Sequence, residues 1–404
     1  MPPPVTEGPG LTRAAGLGSL AALFLAALAL RPQLVGIGPL LPRIEEDLTV
    51  SHAVAGLLAT VPVLCMGLFA PTAPYLSGRI GTRYGIAACL AVLAVFGAAR
   101  AVAPGALLVI LLTFPVGMGI AIAGALLPVA VKERFPHRPA FTTGVYATAI
   151  NLGSAIASAL AVPVAQATGG WRGTLAVFAG FAAGLLVAWI VLTRREPRFQ
   201  RADARPPRLP FRSGVAWVLA AIFGLLGIIF YGLNSWLADS FVERGWSETR
   251  AGALVAVMNA AAIPAGLLIT WLADRAGSRR LYLATASTTM LVGVIGLASV
   301  PSGAWVWAAL VGMANGTLFP LILTLPLDVA ERPSQVGAVV GLMLGFGYVL
   351  AAVSPFALGA IRDWTGSFTA ALWAIAVAGA VLLVACLPLT RERLGRGVAV
   401  QHGA

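Results

Sequence analysis

A chain can cross a bilayer only as helices or as a closed barrel, because hydrocarbon offers no partner to an exposed backbone N–H or C=O. That limit governs this sequence. Apolar runs of about 20 residues, the length of a spanning helix, recur at roughly 14–40, 52–76, 86–102, 105–131, 140–167 and 171–193. A second series follows at roughly 214–238, 249–273, 281–300, 302–329, 336–361 and 367–390. Between the two lies RREPRFQRADARPPRLPFRS, too rich in Arg and Pro to enter a membrane. Only 10% of the residues are charged, and mean hydropathy is +0.90. Soluble domains carry about 25% charged residues, so a soluble globule is excluded. The expectation is an all-α membrane protein of twelve transmembrane helices. Residues 1–193 form an N-terminal six-helix bundle, 194–213 a cytoplasmic basic linker, and 214–404 a C-terminal six-helix bundle with a short cytoplasmic tail.

Most of the 27 Lys and Arg fall in loops on one side of this arrangement. Cytoplasmic loops carry such an excess, so both termini are placed in the cytoplasm and the chain in the cell inner membrane. Glu45, Glu46 and Asp47 sit in the first outer loop. The net charge of +12 does not indicate nucleic acid, because the basic residues lie in short loops without interleaved aromatics. Cys65, Cys89 and Cys386 each lie inside an apolar run and read as small core residues rather than disulfide or metal partners. No Walker sequence or metal cluster is present, so neither catalysis nor a cofactor is implied. Trp236 and Trp305, near span ends, read as interface anchors.

The two halves repeat one another. Residues 51–83 align with 247–279 without a gap, pairing Ser51 with Ser247, Gly56 with Gly252, Arg79 with Arg275, Gly81 with Gly277 and Arg83 with Arg279. Gly124 and Gly316, Pro128 and Pro320, Gly153 and Gly345, and Pro163 and Pro355 extend the match. Two parallel six-helix repeats joined by a basic loop resemble the organisation of the major facilitator superfamily, two bundles related by a pseudo-two-fold axis with the site at the midplane between them. The loop Gly78-Arg79-Ile80-Gly81-Thr82-Arg83 and its copy Asp274-Arg275-Ala276-Gly277-Ser278-Arg279-Arg280 resemble that family's signature. The resemblance implies a conformational latch made by Arg79, Arg83, Asp274, Arg275 and Arg279. Gly78 stands where an Asp is usual, so the latch is expected to be weaker in the first half.

Arg31 is the residue that most needs explaining. It lies well inside the first apolar run, where a guanidinium costs from about 3 to more than 10 kcal/mol. Snorkelling to the interface is the alternative, but the apolar run continues nine positions further to Leu40, roughly 13 Å at 1.5 Å per residue, a long way for one side chain to bridge. Pro32 follows, and a proline within a span frees a backbone carbonyl that can line a polar cavity. Other polar groups far from span ends are Gln33, Tyr146, Thr148, Asn151, Tyr231, Asn234, Asn259, Asn315 and Tyr348. For any one of them an ordinary interhelical hydrogen bond is as good a reading as a ligand contact. Together they outline a small, mostly neutral cavity with one fixed positive charge. A guanidinium fork suits planar anionic or nitro-type groups. Every Asp and Glu lies in a tail, loop or helix end, with Asp239 and Asp328 nearest the membrane. No carboxylate is thus a ready partner for Arg31, and protons stay open as a coupling ion. His52, at the mouth of the second span, reads as an interfacial histidine rather than a proton relay.

Leu30-Arg31-Pro32, followed by Val35-Gly36-Ile37-Gly38-Pro39-Leu40-Leu41, resembles the first-helix signature of the cyanate and 2-nitroimidazole transporter branch of that superfamily. Residues 56–64 and 67–74 resemble its second helix. The resemblance implies a monomeric secondary transporter that moves a small anionic or polar organic solute by alternating access, with the lipid bilayer as its other partner. A multidrug-type exporter of hydrophobic compounds is the alternative. It would need a large apolar cavity and usually a membrane carboxylate.

Overall fold

The computed structural model describes residues 13–135, 139–194, 209–273, 279–329 and 333–387. Every regular element among them is helical. Twelve helices are long and apolar enough to cross a membrane: Leu17–Leu48, His52–Thr72, Tyr75–Ala101, Ala106–Arg134, Phe141–Thr168, Trp171–Thr193, Gly214–Val242, Glu248–Ile269, Arg280–Ser299, Pro301–Pro326, Val336–Thr365 and Phe368–Cys386. They are numbered here as spans 1 to 12. Within the first six, span 3 packs on spans 4 and 6, and span 1 packs on spans 5 and 6. In the last six, span 7 packs on span 11, and span 10 on spans 8 and 9. Span 2 against span 11 and span 5 against span 8 join the two bundles. Large apolar side chains such as Leu107 and Val187 stay exposed, as lipid-facing surface requires.

The first span runs further than its apolar composition suggests. Glu45, Glu46 and Asp47 are not in a loop; they form the last turn of a helix that ends at Leu48. The Leu41–Leu48 helix is amphipathic, burying Leu41 and Ile44 ahead of that turn, so packing against the bundle holds it helical despite its charge. Thr49, at φ 50°, ends it. Trp236 also departs from the sequence reading. It is 2% exposed, and its indole donates to the Pro355 carbonyl at 2.7 Å. It is a core hydrogen-bond donor between spans 7 and 11, not an interface anchor.

Span 1 meets span 7 by backbone contact at Gly38. A Cβ there would overlap the carbonyl of Asn234, which belongs to the other bundle. Gly38→Ala is therefore expected to push the two spans apart at a cost of about 1–3 kcal/mol, the usual range for overpacking. Thermal unfolding in detergent checks this.

Candidate functional site

Span 1 is broken where Arg31 lies. One helix covers Arg13–Ala29, and the next begins at Pro32 after the turn residues Leu30 and Arg31. Pro32 has no N–H, so the Leu28 carbonyl loses its usual donor four residues on. Gly153 of span 5 lies against this gap, where a Cβ would come within 2.8 Å of the Leu28 oxygen and 3.4 Å of Arg31 Cβ. Arg31 itself is half-buried. Its Nη1 is buried and has no hydrogen-bond partner among the described residues.

Tyr348 of span 11 lies within electrostatic range of Arg31, and also of Tyr231 of span 7 and Tyr146 of span 5. The rings of Tyr231 and Tyr348 are 6.4 Å apart. Tyr231 is 5% exposed, and its hydroxyl donates to Met66 Sδ at 3.7 Å, linking span 7 to span 2. The group so formed draws on spans 1, 2, 5, 7 and 11. It can offer N–H and O–H donors and an apolar wall to one small solute.

Gln33 goes elsewhere. It is 0% exposed, and its Oε1 accepts a hydrogen bond from Nη2 of Arg100. Arg100 is fully buried too, with Nη1 donating to Thr113 at 3.2 Å and Nη2 also reaching the Gln33 carbonyl at 3.4 Å. Arg31 and Gln33, two residues apart on a broken helix, thus face different neighbours. Arg100 was not among the residues singled out from sequence. Its signal was available, a second Arg inside an apolar run, but its position near the end of that run hid it.

Three of the four predicted asparagines, Asn234, Asn259 and Asn315, lie together inside the last six spans. Asn259 Nδ2 donates to Asn234 Oδ1 at 2.8 Å and to the Val255 carbonyl at 3.0 Å. Asn234 Nδ2 donates to the Phe230 carbonyl at 2.8 Å. Asn259 and Asn315 line a small cavity with Phe230, Met258 and Met290. Asn151 is half-buried on span 5, and Thr148 spends its hydroxyl on the Gly144 carbonyl at 2.9 Å. The ten polar residues singled out from sequence therefore divide. Arg31, Tyr146, Tyr231 and Tyr348 converge, while Gln33 and the Asn234–Asn259 pair are engaged with other partners.

In the first latch loop Gly81 has φ 77° and ψ 159°, a conformation that favours glycine, and it breaks the helix running from Ala73 to Ala101. The guanidinium of Arg79 lies 4.6 Å from the ring centre of Tyr75, and that of Arg83 lies 5.5 Å from Tyr84. The Arg83 carbonyl accepts from the Trp189 indole at 3.0 Å. Glu133 takes a hydrogen bond from Thr82 at 2.7 Å. Asp274 and Arg275 lie outside the described residues, and Arg279 is described only as the first residue of a helix.

A second polar cluster sits at the end of the bundle away from the termini, where residues of both halves meet around His52. Sequence reading placed His52 at the mouth of the second span, Glu45 in the first outer loop and Asp239 among the loop and helix-end carboxylates nearest the membrane. Nothing in a linear pattern shows that three spans bring them together.

Comparison with known proteins adds the family. The model described as Major Facilitator Superfamily matches residues 23–352 and 241–402. The cyanate transport protein of Escherichia coli (strain K12) is 32% identical over 368 residues, covering 90% of this chain and 95% of that protein. The 2-nitroimidazole transporter of the same organism is 30% identical over 376 residues, covering 93% and 95%. A crystal structure of a nucleoside transporter superposes with a TM-score of 0.74 at 14% identity, covering 92% of this chain and 99% of that one.

Proposed function

Because the chain belongs to the major facilitator superfamily, as a multi-pass membrane transporter of small solutes, we propose that its solute is a small planar anion or nitro-type molecule held by Arg31. The observation that carries this reading is the buried Arg31 Nη1 with no hydrogen-bond partner among the described residues. A buried donor on a charged group is costly to leave unpaired, and the solute is the acceptor that completes it. A guanidinium presents parallel N–H bonds that match two oxygens of a planar group, and Tyr348 lies within electrostatic range of it. The relatives named for cyanate and 2-nitroimidazole support the same class of small acceptor-rich solute. A multidrug exporter is not favoured: polar groups, rather than a broad apolar surface, converge on Arg31.

Residues 1–193 and 214–404 act as the two bodies of an alternating-access cycle, with Arg31 between them. The termini and the 194–213 linker face the cytoplasm of a cell inner membrane, the His52 end faces outward, and the protein works as a monomer. Latch chemistry falls mainly to Asp274, Arg275 and Arg279, with Arg79 and Arg83 as the weaker copy.

Thermal-shift measurements with cyanate, nitrate, 2-nitroimidazole and a hydrophobic cationic drug test this reading. A solute that binds only the folded protein stabilises it by about 2.7 kcal/mol at a hundred times its Kd. One of the three planar or linear acceptors should raise the melting temperature of the wild-type protein. A rise with the hydrophobic cation alone would overturn the assignment.

A further inference from the structure

At the end of the bundle away from the termini, four spans send side chains to one imidazole. His52 Nδ1 is 2.8 Å from Asp363 Oδ1, while Nε2 is 3.3 Å from Glu45 Oε2 and 4.0 Å from Asp239 Oδ2. Asp363 also accepts from the backbone N–H groups of His52 at 3.1 Å and Ala53 at 2.9 Å. Its carboxylate thereby caps the N-terminus of span 2 and fixes the ring's position. Trp236 and Phe368 flank the ring at 5.8 and 5.5 Å.

The charges around the ring do not balance among themselves. Asp239 is 7% exposed, and its Oδ2 has no hydrogen-bond partner among the described residues; nor has the buried Glu45 Oε1. The nearby guanidinium groups are already engaged. Arg362 pairs with Glu243 at 2.8 Å, and Arg43 pairs with Glu248 at 2.6 Å. A buried carboxylate oxygen left without a partner calls for a cation.

The geometry points to a site for a divalent transition-metal ion such as Zn2+, ligated by His52 Nε2, Glu45 and Asp239. The three ligand atoms lie within 4.8 Å of one another. Ligands about 2.0–2.1 Å from a tetrahedral Zn2+ stand roughly 3.3 Å apart, the separation of His52 Nε2 and Glu45 Oε2. A small rotation of the Asp239 carboxylate brings in the third. One imidazole and two carboxylates suit zinc and its neighbours. The contact between Nδ1 and Asp363 is the outer hydrogen bond that orients a metal-bound histidine. Glu45 and His52 belong to the first six spans, and Asp239 and Asp363 to the last six. The ion therefore clamps the two halves together at this end.

Melting curves of the full-length protein in detergent, with ZnCl2, with MgCl2 and with EDTA, test the site without any transported solute. Zn2+ should raise the wild-type melting temperature saturably, with one ion per chain, and Mg2+ should not. His52→Ala and Asp239→Asn should lose the rise, and Asp363→Asn should weaken Zn2+ affinity by about 10- to 100-fold, as changes behind a ligand typically do. Should a ligand variant fail to fold, Glu45→Gln, an isosteric change at the third ligand, gives the same reading. No rise in the wild type, or an equal rise in the variants, would overturn the proposal. So would stabilisation by acid pH alone with no response to metal, which would make a proton the cation.

Discussion

Arg31→Ala is expected to abolish solute binding and uptake while leaving the protein folded. Its Nη1 has no acceptor among the described residues, so truncation removes an unbalanced charge rather than breaking a network. Folding stability should therefore hold or rise, since an unpaired guanidinium is costly at bilayer depth. Losing one side of a buried, hydrogen-bonded charge pair costs about 2–5 kcal/mol in binding, which is roughly 30- to several-thousand-fold in affinity. Arg31→Lys keeps the charge but loses the planar fork and should fall in between. Proteoliposome uptake and melting temperature, measured on the same preparations, separate the two effects. Uptake unchanged in Arg31→Ala would remove Arg31 from the solute site.

Gln33→Leu is expected to destabilise the fold by about 3–5 kcal/mol, the cost of stripping a partner from a buried charge. The charge is Arg100, fully buried, with Gln33 and Thr113 as its acceptors. The double variant Gln33→Leu with Arg100→Met should recover most of that loss, because an apolar pair of similar size replaces the whole network. A double-mutant cycle in thermal unfolding checks the coupling. If Gln33→Leu unfolded like the wild type while losing solute affinity, Gln33 would belong to the solute site after all.

These two residues show how far the site could be read from the sequence. Both stood out as polar groups deep in the first run. The sequence placed Arg31 at mid-span, beside a proline, with no carboxylate in reach. It could not show that the helix breaks between Ala29 and Pro32, or that this turns Arg31 toward Tyr348 and Gln33 toward Arg100. Tyr146, Tyr231 and Tyr348 looked no different in sequence from Asn234 and Asn259, yet the phenols group around Tyr348, within electrostatic range of Arg31, and the two amides bond each other. The reading of His52 as an interfacial residue rested on its place at a span end. That place was right, but three carboxylates from three other spans stand around it.

What the sequence determined alone follows from quantities that add along the chain. Run length and hydropathy fix the number of spans, basic loops bias their orientation, and a gap-free repeat fixes two six-helix halves. What the tertiary structure decided is the facing of each span. A soluble helix shows its buried face through an apolar stripe. A helix in lipid is apolar on both its packed and its lipid side, so the stripe that would announce its rotation is absent. Only packing, through contacts such as Gly38 against Asn234 and Gly153 against Leu28, sets which polar side chains meet at Arg31, at Arg100 and at His52.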